Sequence, residues 1–130
     1  MEEINYFFDE YKSVSVVNYE SLPAKMRQYK YVYIYGAGIM ARHMIKYLET
    51  EGIQPVSIVV SSNPVEPFLE GKRVYQIDKI HFPEDKSQIC IVLSAKSNCH
   101  LQMLHKLRSS GIKDIVTISD SDFAKLKNGK

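Results

Sequence analysis

The chain has 130 residues, 45% of them hydrophobic and 25% charged, ordinary values for one globular domain with a core of its own. The formal net charge is only +2 and no long Lys/Arg block is present, so electrostatics give no case for nucleic acid; Lys125, Lys127 and Lys130 read as a solvated end. No apolar run approaches the ~20 residues of a membrane span, and MEEINYFFDE lacks the basic start and long apolar stretch of a signal peptide, so the expected location is cytoplasmic. Cys90 and Cys99 fall outside any CxxC spacing and read as reduced thiols.

In chain order, Ile4, Phe7, Phe8 and Tyr11 recur at i, i+3, i+4 and i+7, which predicts an amphipathic helix. Such a helix lies either on the body of the domain or against a second subunit or a missing domain. Val14 to Val17 is β-prone without an evident place. Ser21-Leu22-Pro23 is a helix start, with Ser as cap and Pro in the first turn, and the helix is expected to run to about Tyr29. Tyr31 to Tyr35 is a buried strand and Gly36-Ala37-Gly38 a tight turn. A helix with apolar face Ile39, Met40, Met44, Ile45 and Leu48 follows, closed by Gly52. Pro55 to Val60 is almost continuously apolar, as a parallel strand covered on both faces should be.

Ser61 to Gly71 reads as loop and Lys72 to Tyr75 as a short strand near an edge. Ile89 to Leu93 is the next buried strand. Ser97 or Asn98 caps a helix carrying Leu101, Leu104 and Leu107, and Gly111 ends it. Asp114 to Ile118 is the last strand, with Ser119 to Asp122 positioned to cap a short helix from Phe123 to Lys127. Strands alternating with helices argue for βαβ units and right-handed crossovers. The expected fold is α/β and Rossmann-like: a five-stranded, mainly parallel sheet in the order 3-2-1-4-5, helices on both faces, extra N-terminal helices. Residues 1–28 would be an N-terminal helical extension and 29–130 the nucleotide-binding domain.

Gly36-Ala37-Gly38-Ile39-Met40-Ala41 fits GxGxxA. The first Gly permits the tight turn, the second removes a Cβ where a phosphate approaches, and Ala41 lets helix and sheet pack closely. Free N–H groups and the positive end of the helix dipole then favour an anion. The end of the second strand holds Ser61-Ser62-Asn63 where an NAD site wants a carboxylate for the ribose. Those residues suit a 2′-phosphate instead, with Lys72 or Arg73 in reach, though both lysine and arginine on a strand are commonly surface charges. Ser94-Ala95-Lys96-Ser97-Asn98 follows the strand expected beside the first, at the switch point where ligands bind; it suits a sugar or phosphate, or a helix cap.

No catalytic or metal-binding set is evident. His43, His81, His100 and His105 lack ligand spacing, and there is no GxSxG, P-loop or HExxH. Tyr31, Tyr33 and Tyr35 alternate to one side of their strand, which favours packing over a stacking platform.

YVYIYGAGIMARHMIKYLETEGIQPVSIVVSSNP, then GKRVYQIDKI, ICIVLSAKS and GIKDIVTIS, resembles the small Rossmann-like N-terminal domains of bacterial polysaccharide-biosynthesis proteins. These stand ahead of nucleotide-sugar dehydratases, sugar acyltransferases and some glycosyltransferase or methyltransferase modules. The resemblance spans roughly Tyr29 to Ser119. It implies a domain that binds a nucleotide or nucleotide-sugar and serves a partner domain. By position, Gly36, Ala37, Gly38 and Ile39 would line the phosphate site, Ser61 the end of the second strand, and Ser94, Ala95 and Lys96 the facing loop. Ser61 stands where Asp is usual, which puts NAD in doubt. The catalytic domain that usually follows is not in this sequence, so the chain is either a stand-alone relative or ends at a domain boundary. Two other readings stay open. One is an NADP-dependent oxidoreductase module, for which Lys96 and His43 are poor proton donors. The other is an interaction module with a vacant site that forms a homodimer.

Overall fold

In a computed structural model describing residues 4–7, 13–95, 99–107 and 110–127, the chain starts with two strands, not a helix. Ile4–Phe7 (β1) pairs antiparallel with Ser13–Val16 (β2), Ile4 opposite Val16 and Phe7 opposite Ser13. This corrects the expected N-terminal helix over Ile4 and Phe7; Phe8 and Tyr11 lie outside the described residues. The physical reason is tertiary. β2 itself pairs parallel with the strand at Asp114–Thr117, which leaves its outer edge as a template for β1. A four-residue stripe is too weak a helix signal to outweigh a ready hydrogen-bonding edge.

Leu22–Met26 forms α1. Ser21 precedes it but does not cap it: its hydroxyl donates to Asn18 Oδ1 at 2.7 Å, inside the preceding turn. Tyr31–Tyr35 is β3, and Ile39–Thr50 is α2. Gly52 closes α2 at φ +81°, with the Ile53 N–H returning to the Leu48 carbonyl at 2.9 Å. Ser57–Val60 is β4, Phe68–Leu69 β5 and Lys72–Gln76 β6. A 3-10 turn at Lys86–Gln88 leads into Ile89–Leu93 (β7), then His100–Leu107 (α3), Asp114–Thr117 (β8) and Asp120–Lys127 (α4). The Ser119 hydroxyl accepts the Asp122 N–H at 3.1 Å, the cap expected there. The proposed Ser97 or Asn98 cap lies outside the described residues.

The strands form one sheet in the order β1-β2-β8-β7-β3-β4-β6-β5, counting the two-residue β5. The class is α/β and the sheet mostly parallel. The expected five strands do lie side by side, as β6-β4-β3-β7-β8, but the sheet does not end with them. It extends past β8 through β2 and β1, and past β6 through β5, so the five-strand count and the complete order need correction. β5 was missed because two residues between Pro67 and Gly71 carry no period.

Each face has its own core. Leu22 and Met26 of α1, Ala41, Met44, Ile45 and Leu48 of α2, and Phe123 and Leu126 of α4 pack on one face. Met103, Leu104 and Leu107 of α3 pack on the other, with Tyr33, Tyr35, Ile89, Ile91 and Leu93. Val14 of β2 is fully buried in this second core, and Leu22 and Met26 in the first. Residues 14–26 are thus packed in the same cores as the rest of the chain.

Candidate functional site

The site begins where β3 ends. Val32 and Ile34 face the first core and Tyr33 and Tyr35 the second, so β3 is held on both faces between β4 and β7. The chain leaves it through Gly36 at φ +119°, a conformation that favours glycine. The Gly36 N–H donates to the Val59 carbonyl at 2.8 Å, and a Cβ on Gly36 would stand 2.8 Å from the Ser94 carbonyl oxygen. The first glycine therefore lets the turn pass tightly between the ends of β4 and β7.

Gly38 plays a different part. It sits at the N-cap of α2 in extended conformation, and no heavy atom lies within 4 Å of a Cβ built on it. That open side is where a ligand would approach. The first N–H groups of α2 have no partner within the helix, and the α2 dipole points its positive end at the same space. Ala37, Gly38 and Ile39 are exposed, Ile39 at 60%, while Met40 is half-buried against the first core. Ala41 is fully buried, in keeping with the close helix–sheet packing that the third small residue permits.

Beside the turn, a cleft of about 440 Å³ runs along the end of β4, lined by Ala37, Arg42, Ser62, Asn63 and Glu66 among others. Arg42 Nη1 meets Glu70 Oε2 at 2.8 Å. Glu70 reaches it because Glu70 and Gly71, at φ +50° and +80°, form the two-residue turn of the β5–β6 hairpin. Neither Arg42 nor the hairpin was foreseen as part of the site. An arginine directly after Ala41, in the first turn of the glycine helix, was the available signal for Arg42. The hairpin had none beyond Glu70-Gly71 themselves.

The remaining expected residues divide. Ser62 lines the cleft; Ser61 is half-buried, its hydroxyl 2.7 Å from the Tyr35 hydroxyl. Burial raises the Tyr35 pKa and the Ser61 hydrogen bond opposes this; Ser61 does not line the cleft and is tied instead to Tyr35 of the second core. Ser94 is 2% exposed: its N–H donates to Tyr35 at 2.9 Å and its carbonyl backs Gly36. Its main chain shapes the turn, and its hydroxyl points to the Val92 carbonyl at 3.5 Å. The Ala95 carbonyl accepts from His100 Nε2 at 3.1 Å; Lys96 lies outside the described residues. His43 is half-buried on α2 and His100 buried. Among the described residues no group of three or more His, Cys, Asp or Glu is placed to hold a metal, and no helix is long and apolar enough to cross a membrane. Cys90 is buried, and its thiol is pushed far up by desolvation.

The fold and site thus define an α/β domain whose glycine turn lies at the centre of a mostly parallel sheet. Compared with known proteins, the chain matches no protein-family model, no curated protein and no solved structure.

Proposed function

We propose that the chain is a nucleotide- or nucleotide-sugar-binding domain of bacterial surface polysaccharide biosynthesis, acting in the cytoplasm, non-catalytic alone, and serving a partner domain or a second copy. The observation that carries the ligand class is the pairing of an open Gly38 at the start of α2 with the adjoining 440 Å³ cleft. The turn suits the pyrophosphate and the cleft suits the attached ribose and base. The link to polysaccharides rests on the resemblance of the β3–α2–β4 sequence. Arg42 favours a second reading, an NADP-dependent module, because a guanidinium at the cleft beside Ser62 and Asn63 suits a 2′-phosphate.

A thermal-shift panel of UDP, a UDP-sugar, NADPH, NAD and CoA separates these. A ligand at ~100 times its dissociation constant adds about 2.7 kcal/mol, several degrees for a domain of this size. The expected result is a shift with UDP or the UDP-sugar that Gly38→Val removes. A shift confined to NADPH and lost in Arg42→Gln would transfer the assignment to the second reading. No shift with any of the five would sink both and leave an interaction module.

A further inference from the structure

The two faces of the sheet are covered unequally. On the face opposite α2, α3 is the helix whose side chains enter the core, and over β4 and β6 the cover comes from the chain leaving β6, with Ile77, Ile80 and Phe82 packed on that core. Beneath this strap is a cavity of about 290 Å³ lined by Tyr33, Ser57, Arg73, Tyr75, Lys79 and His81 among others. Its lining holds three basic side chains and no carboxylate.

Arg73 is held in a defined place. Its guanidinium lies 5.5 Å from the Phe68 ring centroid and 5.8 Å from that of Tyr75. Contacts of this kind attract a cation to the ring faces and favour the guanidinium beside the two aromatics. Among the described residues no ion pair joins Arg73, Lys79 or His81 to a carboxylate, whereas Arg42, Lys72 and Lys106 each have one. Positive charge is therefore gathered at this cavity and left uncompensated.

The second observation is Ser57. It is 3% exposed, pairs with Tyr33 across β3 and β4, and shares the cavity-facing side of the sheet with Tyr33 and Tyr75. Its hydroxyl has no hydrogen-bond partner among the described residues. A buried hydroxyl without a partner is costly, and proteins rarely keep one without a use. Ser57 lines the basic cavity, and its hydroxyl, closed off from solvent, reaches an oxyanion there by turning about χ1.

We infer that this cavity is a second binding site, distinct from the glycine turn, for a compact oxyanion: the phosphate or carboxylate group of a small molecule. The oxyanion sits between Arg73, Lys79 and His81, and Ser57 donates to it from below. The site stands independently of the nucleotide reading, since none of these six residues lines the cleft at the end of β4.

The test is an NMR titration of the whole chain with inorganic phosphate and, separately, with succinate, at constant ionic strength in a chloride buffer. Saturable shifts are expected at the Ser57 and Tyr75 amides and the Arg73 Nε–H. Arg73→Gln should weaken binding by about tenfold or more, the scale of a lost charge-assisted hydrogen bond. Ser57→Ala should weaken it several-fold, and Gly38→Val should leave it unchanged. Saturation by phosphate alone assigns a phosphate ligand, and by succinate alone a carboxylate. Linear drift without saturation, shifts confined to residues 36–40, or wild-type affinity in a folded Arg73→Gln protein would overturn the site. Because Arg73 is exposed, its replacement leaves the fold intact.

Discussion

The two glycines of the turn look alike in sequence and differ in what they permit. Gly36 carries both a φ of +119° and a neighbour, the Ser94 carbonyl oxygen, 2.8 Å from where a Cβ would be. Gly36→Ala is expected to cost about 2–3 kcal/mol from backbone strain alone, more if the β7 end must shift. Gly38→Ala meets no atom and should lose only the N-cap preference for glycine, about 1 kcal/mol or less. Urea midpoints of the two variants check this, and equal losses would show that the close approach is not made at Gly36. His100 offers a pH test. Burial lowers its pKa below the ordinary 6.5, against the opposing pull of the hydrogen bond to Ala95. On acidification the unfolded chain therefore takes up the proton first. The His100 contribution to stability is complete above pH 6.5, is lost as pH falls from there through the folded-state pKa, and is constant below it. His100→Gln keeps an N–H for the Ala95 carbonyl without the titration. Its stability should change less than that of the parent between pH 7.5 and 5, and parallel profiles would remove the assignment. The glycine pattern was legible in the sequence because its demands are local. The backbone role of Ser94, the tie between Ser61 and Tyr35, and the Ser57 cavity were not, because each needs to know which strand lies next door.

The same division holds for the elements. The apolar strands β3, β4 and β7, and α2 with Gly52 at its end, were plain in the sequence because continuous apolar runs and helical stripes are signals within one segment. β1 and β2 were not. They are short, and the edge that makes them strands is supplied by β8, about a hundred residues on, with Val16 opposite Thr117. Their role in the sheet has a measurable consequence. Val14 is fully buried in the core under α3, so Val14→Ala removes two methyl groups from the packed interior. The expected loss is about 2 kcal/mol, seen in the single unfolding transition of the whole domain. An unchanged midpoint would mean that β2 is an appendage laid on a core complete without it. The N-terminal stretch is also tied across the first face: the Tyr19 N–H donates to Asp122 of α4 at 3.0 Å, and the Tyr47 hydroxyl of α2 donates to the Tyr19 carbonyl at 2.6 Å. These bonds join α2 and α4 through one residue of the loop before α1.

Across the whole molecule, order should fall from the centre of the sheet toward the hairpin edge. β3 has β4 and β7 as neighbours, β7 has β3 and β8, and every residue of β7 is buried. β6 is bounded on its outer side by the two residues of β5, and of its own five residues only Val74 is buried. Burial on both faces and hydrogen bonds on both edges are what resist local opening. Native-state hydrogen exchange should therefore be slowest at the amides of Ile34, Ile91 and Val92 and reach only sub-global free energies in β6. The glycine turn lies on the rigid side of this gradient, while the cleft beside it takes Leu69 and Val74 from the yielding side. A nucleotide bound across both must order the β5–β6 hairpin as it binds, and the Arg42–Glu70 pair couples α2 to the hairpin turn at that point. Under saturating UDP or UDP-sugar, exchange at Val74 and Tyr75 should slow by the same factor as at Ile91, because an opening of the hairpin that destroys the site forfeits the full binding free energy. Arg42→Gln should leave Val74 and Tyr75 with less of that slowing than Ile91. A ligand that slowed Ile91 and left Val74 and Tyr75 unchanged would bind without drawing on the hairpin, and the cleft would then lie outside its footprint.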